Sequence, residues 1–135
     1  MQNLQPAIDI IKQFEECRLI AYKCPAGIWT CGWGNTIGIT NKISYTQAEA
    51  DNILFAAINS LAEKVKLLIK REINDNQLCA CISLAYNIGL GAFKDSRLLK
   101  RINYGDFKTA SDCFMSWIFI NKVESQGLKN RRKAE

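Results

Sequence analysis

The chain has 135 residues, of which 48% are apolar and 23% charged, and this balance excludes a disordered or fibrous protein. It contains no histidine, which excludes Ser-His-Asp and Cys-His catalysis and His-ligated zinc. The net charge of +5 favours an anionic partner, and nucleic acid, acidic lipid and anionic cell-wall polymer all meet that condition.

The first predicted elements are a helix and a β-hairpin. Apolar residues at helical spacing predict the helix over residues 4–16. Extended runs at 18–23 and 28–33 predict the hairpin, because the Cys-Pro-Ala-Gly sequence between them suits a β-turn. The Gly-, Thr- and Asn-rich residues 32–41 predict either a third short strand or a loop.

The remainder of the chain is predicted to be helical. Two capping boxes, Thr46 with Glu49 and Asn74 with Gln77, mark two helix starts. The predicted helices cover residues 47–70, 75–89, 96–105, 106–118 and a final basic segment after Gly127. The expected fold class is therefore α+β, in one domain over residues 1–135. That domain has a small β lobe at about 17–45 and a helical lobe at about 47–135 together with helix 4–16.

Neither a structural zinc site nor a targeting segment is predicted. The six cysteines include no C-x2-C pair, and Cys79, Cys81 and Cys113 fall in helical stretches, where we expect them to act as small apolar residues. No basic region precedes an apolar run near residue 1, so no signal peptide is predicted. The charge-free window 76–93 contains Gln, Ser, Asn and two Gly and is expected to be a buried helix with its exit loop.

Two adjacent acids end the first helix, and they face different directions. An advance of about 100° per residue places Glu15 inside the apolar arc and Glu16 outside it, where Glu16 can pair with Lys12. A carboxyl group in an apolar surface has its charged form disfavoured, as a general acid near neutral pH requires. The alternative is that Glu15 lies at the helix edge and pairs with an arginine.

The hairpin supplies the polar groups nearest to Glu15 in the chain. Cys24 lies at its turn and Thr30 on its second strand. Alternation along that strand places Thr30 and Cys31 on opposite faces, and the sequence does not decide which face meets Glu15.

Residues 14–34 resemble the active-site hairpin of phage-type lysozymes, the endolysins with a T4-lysozyme-like fold. The signature of that family is Glu, eight residues, Asp or Cys, five residues, then Thr, and it is matched by Glu15, Cys24 and Thr30. Residues 85–99, 103–106 and 127–132 are similar to three further family segments in the same order. The resemblance therefore covers nearly the whole chain.

The resemblance implies a role for each matching residue. Glu15 is then the catalytic acid, Cys24 takes the place of the usual aspartate, and Thr30 holds the attacking water. Arg131 matches the arginine that pairs with the catalytic Glu, and Arg132 is the alternative. Four further residues match positions that line the sugar groove: Tyr86, Ser96, Thr36 and Ser111.

Pattern alone gives other interpretations of several of these residues. Tyr86 lies on an apolar helix face, which is typical of a core residue, and the basic C-terminal residues are typical of a solvated face. The usual family histidine is Asn35 here, which suggests that a histidine is not chemically required. The chain also resembles signal-anchor-release endolysins, in some of which a disulfide of the catalytic cysteine keeps the enzyme silent until thiol exchange frees it. That resemblance implies a regulatory Cys17–Cys24 disulfide, and the alternative is that both thiols stay reduced.

The resemblance implies a muramidase that cuts the β-1,4 bond between N-acetylmuramic acid and N-acetylglucosamine in peptidoglycan and so lyses bacteria. It implies no metal and no organic cofactor, a monomer without a membrane span, and no nucleic-acid partner. Synthesis in the host cytoplasm and action in the periplasm are expected, with an export route that this chain does not encode. The alternatives are a catalytically inactive cell-wall-binding module of the same fold and a basic nucleic-acid-binding domain.

Overall fold

The structure is a computed structural model that describes residues 2–135, so Met1 of the predicted domain lies outside it. Seven α-helices and two antiparallel hairpins make up the described chain. In chain order the elements are α1 (Gln5–Phe14), β1 (Arg18–Lys23), β2 (Trp29–Gly32), α2 (Gln47–Leu68), α3 (Asp75–Ile88), α4 (Leu90–Asp95), α5 (Arg97–Tyr104), α6 (Phe107–Cys113), a 3-10 turn (Phe114–Ser116), β3 (Phe119–Ile120), β4 (Val123–Glu124) and α7 (Gln126–Ala134). The predicted α+β class is confirmed.

The first hairpin forms as predicted, with a tight turn between its strands. The amide of Gly27 donates to the Cys24 carbonyl at 2.8 Å, and the amide of Cys24 donates to the Ile28 carbonyl at 2.9 Å. Gly27 has φ +79°, a left-handed conformation that a glycine adopts without a steric penalty. The turn therefore fixes Cys24 at the tip of β1.

The segment after β2 is a loop and not a third strand. The outer edge of β1 is instead covered by residues 43–45, since Ala21 donates to the Ile43 carbonyl and Tyr45 donates to the Leu19 carbonyl. Residues 33–42 form the loop between β2 and this edge segment, and residues 33–37 of the loop line a cavity with residues of α2 and α3.

Both predicted capping boxes are present at the starts of α2 and α3. Ser96 and Asp106 cap α5 and α6, and Gly105 ends α5 in the left-handed conformation, as the sequence predicted. The helix starts are therefore set by local side-chain hydrogen bonds to backbone amides.

Three elements differ from the predictions. Helix α1 ends two residues early, at Phe14, and α4 occupies part of the predicted exit loop after a single left-handed glycine, Gly89. Helix α6 ends at Cys113, so the predicted helix to residue 118 is replaced by a 3-10 turn and the β3–β4 hairpin. Asn121 and Lys122 form its two-residue turn with positive φ, a conformation for which this dipeptide lacks the usual glycine signal.

The core surrounds α3, in which every residue from position 78 to position 85 is buried. The prediction for the helical cysteines is confirmed, because Cys79, Cys81 and Cys113 are all buried. Helix α3 packs against α1, α2 and α4, and Arg131 and Arg132 of α7 donate to Ser83 and Asn87 in its C-terminal half. Within residues 2–135, no helix combines the length and apolar character needed to cross a bilayer.

Candidate active site

Glu15 is the C-cap of α1, where the chain leaves the helix with extended backbone angles. Its amide still donates to the Ile11 carbonyl at 2.8 Å, so its direction follows the helix while its carboxyl group lies beyond the last turn. The side chain is 26% exposed, so the carboxylate is partly accessible.

Arg131 of α7 holds this carboxylate. The Nη1 of Arg131 lies 2.9 Å from the Oε1 of Glu15, and the arginine is only 3% exposed. Its Nη2 donates to the Ser83 carbonyl of α3 at 3.1 Å. The expected arginine partner of Glu15 is therefore Arg131, and the geometry is that of the alternative interpretation, in which Glu15 lies at the helix edge and pairs with an arginine.

Cys24 and Thr30 meet at the turn of the hairpin. Hydrogen bonds from the Ile28 amide first, and also from the Ala26 amide and the Thr30 hydroxyl, lower the pKa of the Cys24 thiol. Thr30 is buried, and its hydroxyl can alternatively donate to the Ile28 carbonyl at 2.9 Å. A hydroxyl has a single proton, so it donates to one of these partners at a time and keeps lone pairs that can accept from water.

A cleft lies between the loop after β2 and the helices. A cavity of about 220 Å³ is lined by Trp33, Gly34, Thr36 and Tyr86, together with residues of α2. The Tyr86 hydroxyl donates to the Trp33 carbonyl at 2.6 Å. A Cβ on Gly34 would lie 3.8 Å from both the Glu15 Oε2 and the Tyr86 hydroxyl, so this cleft opens beside the carboxyl group.

The negative charge of Glu15 contributes to raising the pKa of both Tyr86 and Tyr22. Burial, then the Glu15 charge, raises the pKa of Tyr86 to about 12. Burial also raises the pKa of Tyr22 on β1, and the negative charges of Glu16, Cys24 and Glu15 add to that effect. Both phenols therefore stay neutral at physiological pH and keep a proton that can be donated to a hydrogen bond.

The family model for phage lysozyme matches residues 12–135, a span that contains every site residue described above. The chain belongs to the phage lysozyme family. It is a peptidoglycan-hydrolysing endolysin, and its enzyme class is glycoside hydrolase. This confirms the family and the activity that the resemblance implied.

Similar proteins agree with this assignment. An endolysin of Acyrthosiphon pisum secondary endosymbiont phage 1 is 38% identical, over all of this chain and 95% of its own length. A SAR-endolysin of Enterobacteria phage P21 is 36% identical over 86% of this chain and 71% of its own length. The muramidase domain of SpmX from Asticaccaulis excentricus has a TM-score of 0.90, with 28% identity over 99% of this chain and 95% of that chain.

The other residues that the resemblance assigned to the sugar groove of this endolysin do not all lie in the cleft. Thr36 lines the cleft with Tyr86. Ser96 is buried, where its hydroxyl donates to the Phe93 carbonyl at 2.6 Å and accepts from the Leu99 amide at 3.2 Å, so it is an N-cap and not a groove residue. Ser111 lines a different cavity, of about 290 Å³, between α3, α5 and α6.

The regulatory disulfide does not fit this conformation. All six cysteines are free thiols, and Cys17 and Cys24 flank the six-residue strand β1. At about 3.3 Å per residue that separation is on the order of 20 Å, whereas a disulfide needs Cα atoms within about 7 Å. A Cys17–Cys24 bridge is therefore incompatible with β1 as a strand.

The predicted Glu16–Lys12 pair is also absent. Glu16 lies 3.3 Å from Arg18, and Lys12 lies 3.3 Å from Asp51 of α2. The reason is that α1 ends before Glu16, so the i,i+4 helical geometry does not reach it.

Sequence reasoning missed the residues behind Arg131. Arg132 is buried and not part of a solvated face, and it contacts Glu135 and Asn87. Ser83 donates to Glu135 at 2.6 Å. The only sequence signal was the spacing of two arginines and an acid along α7, which is equally common on a solvated helix. Among residues 2–135, no cluster of three or more His, Cys, Asp or Glu side chains could hold a metal ion.

Proposed function

We propose that this endolysin hydrolyses the β-1,4 bond between N-acetylmuramic acid and N-acetylglucosamine, with Glu15 as the general acid. The observation that carries this proposal is the fixed and half-open carboxyl group of Glu15 beside the cleft. Arg131 occupies its Oε1 at 2.9 Å, so Oε2, the oxygen near Gly34, is the one free to carry a proton to the glycosidic oxygen.

Cys24 and Thr30 hold the attacking water in this mechanism. The lowered pKa of Cys24 increases its thiolate fraction, and a thiolate accepts a hydrogen bond from water as the carboxylate of an aspartate does. The lone pairs of the Thr30 hydroxyl supply the second acceptor. The water then attacks the anomeric carbon and passes its proton to the Cys24 thiolate, while Glu15 protonates the leaving oxygen and the glycosidic bond breaks.

Covalent attack by the Cys24 sulfur is the alternative mechanism, and product stereochemistry separates the two. Direct attack by water inverts the anomeric configuration, whereas a glycosyl-cysteine intermediate followed by hydrolysis retains it. NMR of the freshly cleaved product therefore decides between them.

The remaining parts of the proposal concern the setting of the reaction. We propose that residues 1–135 act as one monomeric domain on glycan strands and not on nucleic acid. Synthesis in the host cytoplasm and action on the cell wall from the periplasm fit a wall-degrading enzyme.

The test combines lysis with identification of the cleaved bond. Outer-membrane-stripped bacteria should lose turbidity, and purified peptidoglycan should gain reducing N-acetylmuramic acid ends, which borohydride reduction converts to muramicitol. Reducing N-acetylglucosamine ends would instead show that the other glycosidic bond is cut. Binding to the wall without new reducing ends would establish the inactive wall-binding module.

A further inference from the structure

A group of four charged side chains, three of them buried, connects Glu15 to the C-terminal helix. Besides Glu15 and Arg131 it contains Arg132 and Glu135, with two positive and two negative charges. The Arg132 and Glu135 side chains are 0% exposed. A buried charge destabilises the fold unless an opposite charge pairs with it. Removal of one of these four charges therefore changes the electrostatic field at the other three.

Glu135 bridges the two arginines. Its Oε1 lies 3.4 Å from the Nε of Arg131, and its Oε2 lies 2.7 Å from the Nε of Arg132. Ser83 of α3 donates to the same Oε1 at 2.6 Å. The Nε edge of Arg131 therefore faces Glu135 and Ser83, while its Nη1 faces Glu15.

We propose that Glu135 is a positioning residue that sets the orientation and the effective charge of Arg131 at Glu15. This inference rests on the proposed role of Glu15 as the general acid. Glu135 shares the positive charge of Arg131 and neutralises Arg132, so the net field of the two guanidinium groups at Glu15 is partly cancelled. Without the Glu135 charge, both arginines would act on one carboxylate and hold its proton-free form more strongly.

The other titratable groups around these carboxyls do not reproduce this effect. Tyr86 and Tyr22 face Glu15, and Cys81 of α3 faces Glu135. Burial raises the pKa of Tyr86 and that of Cys81 to about 12, so neither ionises near neutral pH. Cys24 titrates in the wild type and in every Glu135 variant alike, so a difference between them reports on Glu135.

The test is the pH profile of peptidoglycan hydrolysis for Glu135→Gln. We expect its alkaline limb to move down by about one pH unit, so that kcat/KM falls about tenfold on the alkaline side of the wild-type limb and stays unchanged at a pH well below both limbs. Glu124→Gln is the matched control, since it removes the same charge from an exposed residue paired with Lys129 and should leave the limb in place. Glu135→Asp keeps the charge and should restore the limb while kcat stays below that of the wild type.

An unmoved alkaline limb in folded Glu135→Gln would overturn the inference. If circular dichroism shows that this variant does not fold, Ser83→Ala carries the test, because it removes a hydroxyl that hydrogen-bonds both Glu135 and Arg131. We expect a severalfold lower kcat with an unchanged KM, and a wild-type kcat would overturn the proposal. Glu15→Gln distinguishes the two proposals, since activity in that variant would contradict the role of Glu15 itself.

Discussion

At the scale of single residues, Glu15 and Glu16 are chemically identical and adjacent, yet their surroundings differ completely. The first contacts a buried arginine at the edge of the cleft, and the second forms a surface pair with Arg18. An exposed ion pair of this kind contributes about 0–1 kcal/mol. Location, and not residue type, therefore separates the proposed acid from an ordinary surface acid.

Glu15→Gln should lower lytic activity by about 10²–10⁴-fold, because the amide has no proton to transfer and nearly the same volume. Glu16→Gln is the matched control and should retain the wild-type rate. Turbidity loss and release of reducing ends measure both variants. The reverse order of effects would remove Glu15 from the mechanism.

Cys24→Asp should remain active, since a carboxylate accepts a hydrogen bond from water at the same place. Cys24→Ala should lose most of its activity, because the methyl group cannot bind water. Both rates are measured on purified peptidoglycan, with unfolding temperatures as the control for folding. Full activity of the alanine variant would leave Thr30 as the only proposed ligand of the water.

At the scale of secondary-structure elements, local signals predicted most boundaries correctly. Capping boxes, the Ser96 and Asp106 caps and the glycine that ends α5 depend on hydrogen bonds within one turn, so the sequence contains them directly. The end of α6 and the β3–β4 hairpin were missed, because the apolar spacing continued past the point where the helix ends. Trp117 and Ile118 are nevertheless packed inward, since the turn after α6 redirects them to the core side.

Ser96→Ala tests the assignment of this residue as a cap. The loss of a helix N-cap should destabilise the fold by about 1 kcal/mol and lower the unfolding temperature, while kcat/KM stays unchanged. Ser111→Ala, an exposed serine within α6, is the control and should change neither quantity. A higher KM at an unchanged unfolding temperature would place Ser96 in the sugar groove after all.

At the scale of the whole molecule, Trp33 connects the loop after the hairpin to three helices. Its indole Nε1 donates to Asp51 of α2 at 2.8 Å, its carbonyl accepts from Tyr86 of α3, and Lys12 of α1 lies 5.4 Å from its ring centroid. The wall of the cleft is therefore held by residues distant in sequence. We expect this connection to depend on the charge of Asp51.

The hydrogen bond from Trp33, followed by those from Gln47 and Lys12, lowers the pKa of Asp51. A carboxyl group with a lowered folded-state pKa stabilises the fold fully above its unfolded value of about 4, and this contribution is lost as the pH falls through the folded value. Asp51→Asn should therefore lower the unfolding temperature at about pH 7, and its difference from the wild type should shrink towards about pH 2.

Thermal unfolding monitored by circular dichroism across this pH range measures the effect. Asp112→Asn, which changes an exposed acid on α6, is the control. A wild-type-to-variant difference that stays constant with pH would show that the carboxylate charge is not what holds Trp33.

The sequence by itself determined the α+β class, the helix starts, the hairpin and the spacing of Glu15, Cys24 and Thr30, because each depends on contacts within a few residues. Only the tertiary structure decided which distant residues meet. Arg131 contacts Glu15, and Arg132 and Glu135 are buried behind this pair. Ser96 and Ser111 lie outside the cleft. It also separated Cys17 from Cys24, since strand geometry and not sequence spacing sets the distance along β1. Burial depends on how the helices pack against one another, which the sequence pattern of α7 does not contain. The basic residues of α7 therefore predicted a solvated face, whereas in the fold they belong to a buried ion-pair network.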